Sequence, residues 1–295
     1  MTADAEALRF EAYRATLVRH AYRMLGAVAE AEDAVQDAYL RWDATVRATT
    51  IADDRAFLRA TVTRLCLDRL RLARARREVY VGPWLPEPLI AQANDDPEAL
   101  VTLAEDVSFA LLLALERLSA LERAAFLLHD VMGVPFDEVA ETLGRSENAV
   151  KQLASRARAH VREPGRRGSS APEVLRLRDA FAEAVRTGDL ASLERLLTDD
   201  VVLVSDSGGK VPAAMVPVRG ADHVGRLIIG LARKATTTMR FQSARINGMP
   251  GFIVSDGPTV VQTVALEVED GRIAALYVTR NPDKLRAVPT TRQKM

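Results

Sequence analysis

The sequence predicts a multidomain chain: two all-α modules, the second carrying a helix-turn-helix, followed by a compact α+β domain. Three observations carry this. Apolar residues recur at helical spacing from Leu8 to Arg77 and again from Leu100 to Arg162. The stretch EPGRRGSSAP, residues 163–172, has the Pro, Gly, Ser and Arg content of a joint between domains. Beyond it come two helical patterns and then β-branched runs with strand alternation, TVVQTVALEV and IAALYVT.

Taken in order, helices are expected near 5–25, 29–43 and 53–77, broken around Gly26 and in the stretch Asp43 to Asp54. YVGPWLPEP (80–88) fits neither neighbour. Its three prolines rule out a helix, and Tyr80, Val81, Trp84 and Leu85 make it too apolar for a solvated tether. From Leu100 a four-helix module is expected, interrupted at Leu118 to Ser119, Gly133 and Gly144. Helices near 173–187 and 189–197, the strand VVLV, a helix near 221–234 and the sheet-forming runs complete the chain.

Composition narrows the function classes. At 295 residues there is room for two or three cores, and 40 basic against 40 acidic side chains leave no net field to select a partner. The distribution is uneven, however. Arg55 to Arg77 holds eight arginines and one acid, whereas Pro86 to Glu122 holds eight acids and one arginine, which points to a polyanion site on the first segment. Cys66 is the only cysteine, so no internal disulfide can form and a reducing compartment is expected. The start MTADAEALRF lacks the charge of a signal peptide, and Phe109 to Leu115 is too short to span a bilayer, so a cytoplasmic location without membrane partners is expected. No nucleotide-binding loop appears, and His20, His129, His160 and His223 show no metal-ligand spacing; neither a metal nor a cofactor is expected.

The motif that carries chemistry is GVPFDEVAETLGRSENAVKQLASRARAHV. A short helix (136–143) and a longer one (147–161) are joined by Gly144-Arg145-Ser146. Ala140 allows close packing, Gly144 the tight turn and Ser146 a helix cap, while Val139, Leu143, Val150 and Leu153 form the inner face. Outward lie Asn148, Lys151, Gln152, Ser155 and Arg156, types that hydrogen-bond base edges and phosphates. Seven basic against two acidic residues between Arg145 and Arg167 favour DNA binding over an ordinary helical hairpin with a solvated face.

Together, AEDAVQDAYLRW (31–42), RAFLRATVTRLCLDRLR (55–71) and this motif, in this order and spacing, resemble the two conserved regions of an extracytoplasmic-function (ECF) sigma factor of bacterial RNA polymerase. The resemblance implies region 2 over 1–79, a linker over 80–99, region 4 over 100–165, a joint over 166–172, a third domain over 173–288 and a tail over 289–295. It implies that Asp33, Gln36, Asp37 and Arg41 grip core polymerase, their spacing placing them on one helix face. Arg55, Arg59, Thr61 and Arg64 would contact the promoter's minus-ten element, with Phe57 the aromatic this helix offers as a wedge. Arg145, Ser146, Asn148, Lys151, Gln152, Ser155 and Arg156 would read the minus-thirty-five element.

Ordinary members end near the helix-turn-helix. The remaining residues resemble a SnoaL-like, or NTF2-like, cone, and sigma factors fused to such a domain share a tryptophan-proline linker, an Asp-Gly-Gly-Gly-Lys-type motif and an Asn-Pro-Asp-Lys-Leu tail. Here these are YVGPWLPEP, DSGGK (206–210) and NPDKL (281–285), with Ser207 departing from the expected glycine. The resemblance implies that this domain regulates the chain in place of a separate anti-sigma partner, through Trp84, Pro86, Asp206, Gly208, Gly209, Lys210, Asn281, Pro282, Asp283, Lys284 and Leu285. Trp84 is expected to pack near DSGGK or NPDKL; the alternative is that it covers only its own helical module. The cone also implies a pocket for a small ligand of unknown chemistry. Two other functions stay open: a helix-turn-helix regulator that never joins polymerase, and a bifunctional protein using Asp206, His223 and Tyr277 as acid–base groups.

Overall fold

The computed structural model describes residues 3–77, 80–91, 109–161 and 171–289. The chain folds as two compact units, Met1–Val79 with Leu111–Arg162 and Tyr80–Ala110 with Glu163–Met295. The YVGPWLPEP segment therefore belongs with the carboxy-terminal half. Residues 92–99, the expected start of the second module at Leu100, the joint at 163–170 and the tail from 290 lie outside the described residues.

In the first unit, α1 (Ala3–Leu25), α2 (Val28–Ala48) and α3 (Asp54–Arg77) pack around Tyr22, Met24, Leu25, Trp42, Leu58, Val62 and Cys66, all 2% exposed or less. Burial pushes the Cys66 thiol up to about 12, which removes its reactivity at neutral pH. Helix α2 runs five residues past the expected end at 43. Asp43 does not break it because it pairs with Arg47 one turn on at 2.9 Å, and Thr45 donates to Arg41 O at 2.7 Å. At the start of α3, Asp54 accepts Trp42 Nε1 at 3.0 Å and Arg9 Nη2 at 2.5 Å, tying the three helices together.

The helix-turn-helix module is α4 (Phe109–Glu116), α5 (Ala120–Phe126) running into a π-helical turn (Leu127–Val131), α6 (Phe136–Leu143) and α7 (Glu147–His160). Ser119 and Glu122 form a capping box at the start of α5, which accounts for the break seen in the sequence there. The boundary between the two units falls inside α4, between Ala110 and Leu111.

The second unit packs α8 (Ala171–Thr187), α9 (Leu190–Leu196) and α10 (Ala221–Ala232) on a sheet of order β1-β4-β5-β6-β7-β2-β3. The strands are β1 (Ile90–Ala91), β2 (Leu197–Asp206), β3 (Val218–Arg219), β4 (Met239–Ile246), β5 (Met249–Asp256), β6 (Thr259–Glu269) and β7 (Arg272–Thr279). β2 and β7 run parallel; the other neighbours are antiparallel. Strand alternation sorts the side chains. Leu203, Leu276 and Val278 face the helices and join Leu177, Phe181, Val224 and Ile229 in one apolar core. Asp206, Tyr277 and Thr279 therefore lie on the opposite face, where Ile253, Leu285 and Val288 form a second cluster with Ile90. This outer face receives the linker.

Candidate functional site

The helix-turn-helix is built as its residues require. Gly144 ends α6 in the left-handed conformation (φ 62°), a geometry that a side chain would strain. Ser146 caps α7, its hydroxyl accepting Ala149 N at 3.3 Å. Val139 and Val150 are fully buried, Leu143 nearly so and Leu153 half-buried, joined by Ala154 and Ala157. Arg145, Asn148, Lys151, Gln152, Ser155 and Arg156 are all exposed. Among the described residues, Lys151 pairs with Glu147 on its own helix at 2.6 Å and lies over the Phe136 ring, an exposed pairing worth about 0.5 kcal/mol that a phosphate can replace. Ser146 is committed to the cap, so its contribution is to orient α7.

The minus-ten candidates divide. Arg55 is exposed and lines a groove of about 220 Å³ with Tyr13, Thr16, Arg59 and Met132. A neighbouring hollow adds Arg19, His20 and Arg23, so basic side chains dominate this face. Arg59 Nη2 donates to Glu138 Oε2 of α6 at 2.7 Å, and Arg64 donates from Nε to Thr142 O at 3.0 Å and from Nη2 to Glu141 O at 3.2 Å. Thr61 corrects the sequence reading: it is buried, and its hydroxyl donates to Phe57 O within α3, so it does not face DNA. His20 is buried with Nε2 donating to Thr63 Oγ1 at 2.8 Å, the threonine hydroxyl in turn donating to Arg59 O. Burial, then the charges of Arg23 and Arg59, lower its pKa to about 4.

On α2, Asp33, Gln36 and Arg41 are exposed on one face, as spaced. Asp37 is half-buried against Arg69 Nη2 at 2.7 Å, bracing α2 on α3. Leu40, 58% exposed, is an apolar residue on the same face that the polar spacing did not nominate.

The regulatory candidates converge on Asp206, which is fully buried. Oδ1 accepts the Tyr80 hydroxyl at 2.5 Å and Gly208 N at 3.1 Å; Oδ2 accepts Leu85 N at 2.8 Å and Lys284 Nζ at 2.7 Å. Its backbone carbonyl takes Arg280 N and Asn281 N at 2.6 and 2.9 Å. Lys284 Nζ also donates to Leu85 O and sits 4.1 Å from the centre of the Trp84 ring, a cation–π contact. Asn281 Nδ2 donates to Tyr80 Oη at 2.9 Å, and its Oδ1 caps the short 3₁₀ helix Pro282–Leu285. Burial and then the bond to Asp206 raise the Tyr80 pKa, keeping the phenol a donor.

Around this centre the other candidates support the linker. Leu285 packs below Ile90, Pro86 is buried, and Lys210 pairs with Asp283 at the rim, holding that carboxyl below its usual range. Gly208 and Gly209 have φ of 58° and 72°; a Cβ on Gly209 would stand 2.9 Å from Val81 Cβ, so the glycine admits the linker as well as the turn. Ser207 is accommodated, accepting Gly209 N through Oγ at 3.3 Å.

Two anchors escaped the sequence. Asn247, buried at φ 48°, accepts Leu89 N at 3.0 Å and donates its own N–H to Leu89 O at 2.8 Å. Phe109 stacks on Tyr277 with ring centres 5.1 Å apart. The Asn247-Gly248 dipeptide, a hairpin-turn signal, was the available sequence signal for the first; the second had none.

The acid–base trio does not assemble. Asp206 is saturated by the linker, Tyr277 Oη donates to Glu267 at 2.5 Å, and His223 is exposed on α10 with Nδ1 donating to Arg219 O. Burial raises the Glu267 pKa.

An arginine-rich helix in one module and an exposed second helix of a helix-turn-helix in the next are the features of sigma-70-type proteins. The family model for Sigma-70 region 2 matches residues 9–76, and that for Sigma-70, region 4 matches 108–161. The chain belongs to the ECF RNA polymerase sigma factors and continues beyond the two sigma regions into a carboxy-terminal α+β domain. It is 44% identical to the ECF RNA polymerase sigma factor SigJ of Mycobacterium tuberculosis over 96% of this chain and 94% of that one. It is 34% identical to the probable ECF sigma factor SigI of the same species over 96% and 97%. The crystal structure of SigJ superposes with a TM-score of 0.78 at 42% identity, over 97% of this chain and all of SigJ. No helix among the described residues is long and apolar enough to cross a membrane.

Proposed function

We propose that this chain binds core RNA polymerase and directs it to specific promoters, and that its carboxy-terminal domain regulates this by gripping the linker between the two DNA-reading modules. Residues 1–79 read the minus-ten element through Arg55, Arg59 and Arg64 and contact polymerase through Asp33, Gln36, Asp37 and Arg41. Residues 100–165 read the minus-thirty-five element through Arg145, Asn148, Lys151, Gln152, Ser155 and Arg156, with Ser146 setting the helix. Residues 173–288 act as a built-in regulator, with no separate anti-sigma partner, in the cytoplasm.

The observation that carries the regulatory reading is the saturation of buried Asp206 by Tyr80, Leu85 and Lys284. A tether between modules needs no such site. Phe109 on Tyr277 holds the far end of the same segment, so both its ends rest on one domain.

In vitro transcription with core polymerase tests this, using the full chain and truncations near Gly165 and before Asn281. Initiation by the full chain with altered activity in the truncations is expected; no initiation by any form sinks the reading. A regulator that never joins polymerase is separated by pull-down, since only a sigma factor needs the α2 face. Catalysis has no observation in its favour, because Asp206, His223 and Tyr277 serve three different partners.

A further inference from the structure

We infer that His129 and Phe136 are positioning residues for the reading helix: through the face of one aromatic ring they hold Lys151 of α7 where it meets a DNA phosphate. This rests on the minus-thirty-five reading above and adds to it two residues that the helix-turn-helix pattern did not nominate.

Three elements build the arrangement. In the π-helical turn Leu127–Val131, Met132 N donates to Leu127 O, five residues back, at 3.0 Å, and Gly133, at φ 69°, turns the chain into the approach to α6. Within that turn His129 has its ring fixed, because Nδ1 donates to Val134 O at 2.9 Å. The ring stacks on Phe136, the half-buried first residue of α6, with centres 3.6 Å and planes 24° apart. Lys151 Nζ, one turn into α7, lies 5.6 Å from the centre of the same Phe136 ring and 2.6 Å from Glu147 Oε1.

The ring restrains Lys151 without using what DNA needs. An exposed lysine has a four-carbon stem and many rotamers, and a phosphate contact made from a free side chain must freeze them. Its ammonium has three N–H donors, whereas a ring face attracts the charge through its quadrupole and takes up none of the strong hydrogen bonds. Glu147 competes with a phosphate for those donors and yields at little cost, as exposed pairs do. Phe136 does not compete, so it goes on fixing Nζ in the bound state. His129 supplies the remaining condition. A phenyl ring is negative on its face and positive at its edge, so it attracts an ammonium only while held face-on, and the stacked imidazole keeps it from turning.

The test is binding of the full chain to a fluorescent duplex of mixed sequence, followed by anisotropy over a series of salt concentrations, since phosphate contacts do not depend on base sequence. Lys151→Ala should weaken binding and reduce the slope of log affinity against log salt by about one, the sign of a lost phosphate contact. Phe136→Leu keeps the charge and the apolar packing but removes the ring face. It should weaken binding about two- to fivefold, the range for an exposed cation–π contact, with the salt slope unchanged. Added to Lys151→Ala, the same substitution should cost nothing further. Phe136→Tyr, which keeps the ring, should bind as wild type does, and His129→Leu, which keeps the ring but not its support, should fall between wild type and Phe136→Leu. If Phe136→Leu binds as tightly as wild type or tighter, or loses as much with Lys151→Ala as without it, the positioning role is overturned while the minus-thirty-five reading stands. If Lys151→Ala itself binds as wild type does, Lys151 is not on the DNA surface, and that part of the reading falls together with the inference.

Discussion

Replacing Asp206 by Ala removes one partner of a buried pair and strands the other. Lys284, its side chain 9% exposed, loses the Asp206 carboxylate and keeps the Leu85 carbonyl and the Trp84 ring. Breaking such a buried pair by removing one partner costs about 3–5 kcal/mol, and the hydrogen bonds from Tyr80 and Leu85 N are part of that sum rather than additional to it. With a urea slope of about 2 kcal/mol per molar, the midpoint for the second unit should fall by about 2 M. Unfolding followed by protease protection of residues 80–91 reads this unit directly. The double variant Asp206→Ala/Lys284→Met should recover at least about 2 kcal/mol of the loss, because it deletes both charges. If single and double variants unfold within about 0.5 kcal/mol of each other, Lys284 is not depending on Asp206 and the account of the latch is wrong.

Three further outcomes are expected. His20 ordinarily titrates near 6.5 and here near 4, so the unfolded chain takes up the proton first; its contribution is full above pH 6.5 and is lost as pH falls toward 4, about 3 kcal/mol in total. Comparing the pH dependence of urea midpoints in wild type and His20→Gln checks this, the variant losing that part of the slope. Gly209→Ala, forced against Val81 at positive φ, should cost about 1–2 kcal/mol and expose the linker to protease while leaving Asp206 intact. Trp84→Ala removes the ring beneath Lys284 and should weaken linker protection by about 1–2 kcal/mol; unchanged protease sensitivity and unchanged transcription would show that the tryptophan has no role in the latch.

Local patterns in the sequence announced what local forces decide. The helix-turn-helix was legible because Gly144 and Ser146 act within one turn, and the helices because their apolar spacing is internal to each. The end of α2 was misplaced because an Asp43–Arg47 pair outweighs a polar stretch that reads as a break. Trp84, DSGGK with its Asp206, and NPDKL were nominated by resemblance, but Tyr80 was not named as the partner of Asp206. Tyr80 and Asp206 meet across 126 residues, and no pattern at either end records the partner. The same holds for Arg59 and Arg64, whose type suggests DNA while their contacts to α6, 77 to 79 residues away, emerge only in three dimensions. Thr61 fails for the opposite reason: its partner is Phe57 O, four residues back, and the hydroxyl prefers its own helix.

The second unit is interrupted in sequence, since Tyr80–Ala110 is separated from the rest by the whole of Leu111–Arg162. On the ribosome the linker therefore emerges long before the groups that hold it. Between Ala91 and Leu285 lie nearly 200 residues, about 10–40 s of synthesis at ordinary bacterial rates. During that interval both DNA-reading modules can be complete while Asp206 and Lys284 do not yet exist. A nascent chain stalled before Lys284 would carry both DNA-reading modules without the groups that hold the segment between them, so the order of synthesis separates the formation of the reading modules from the fixing of their linker.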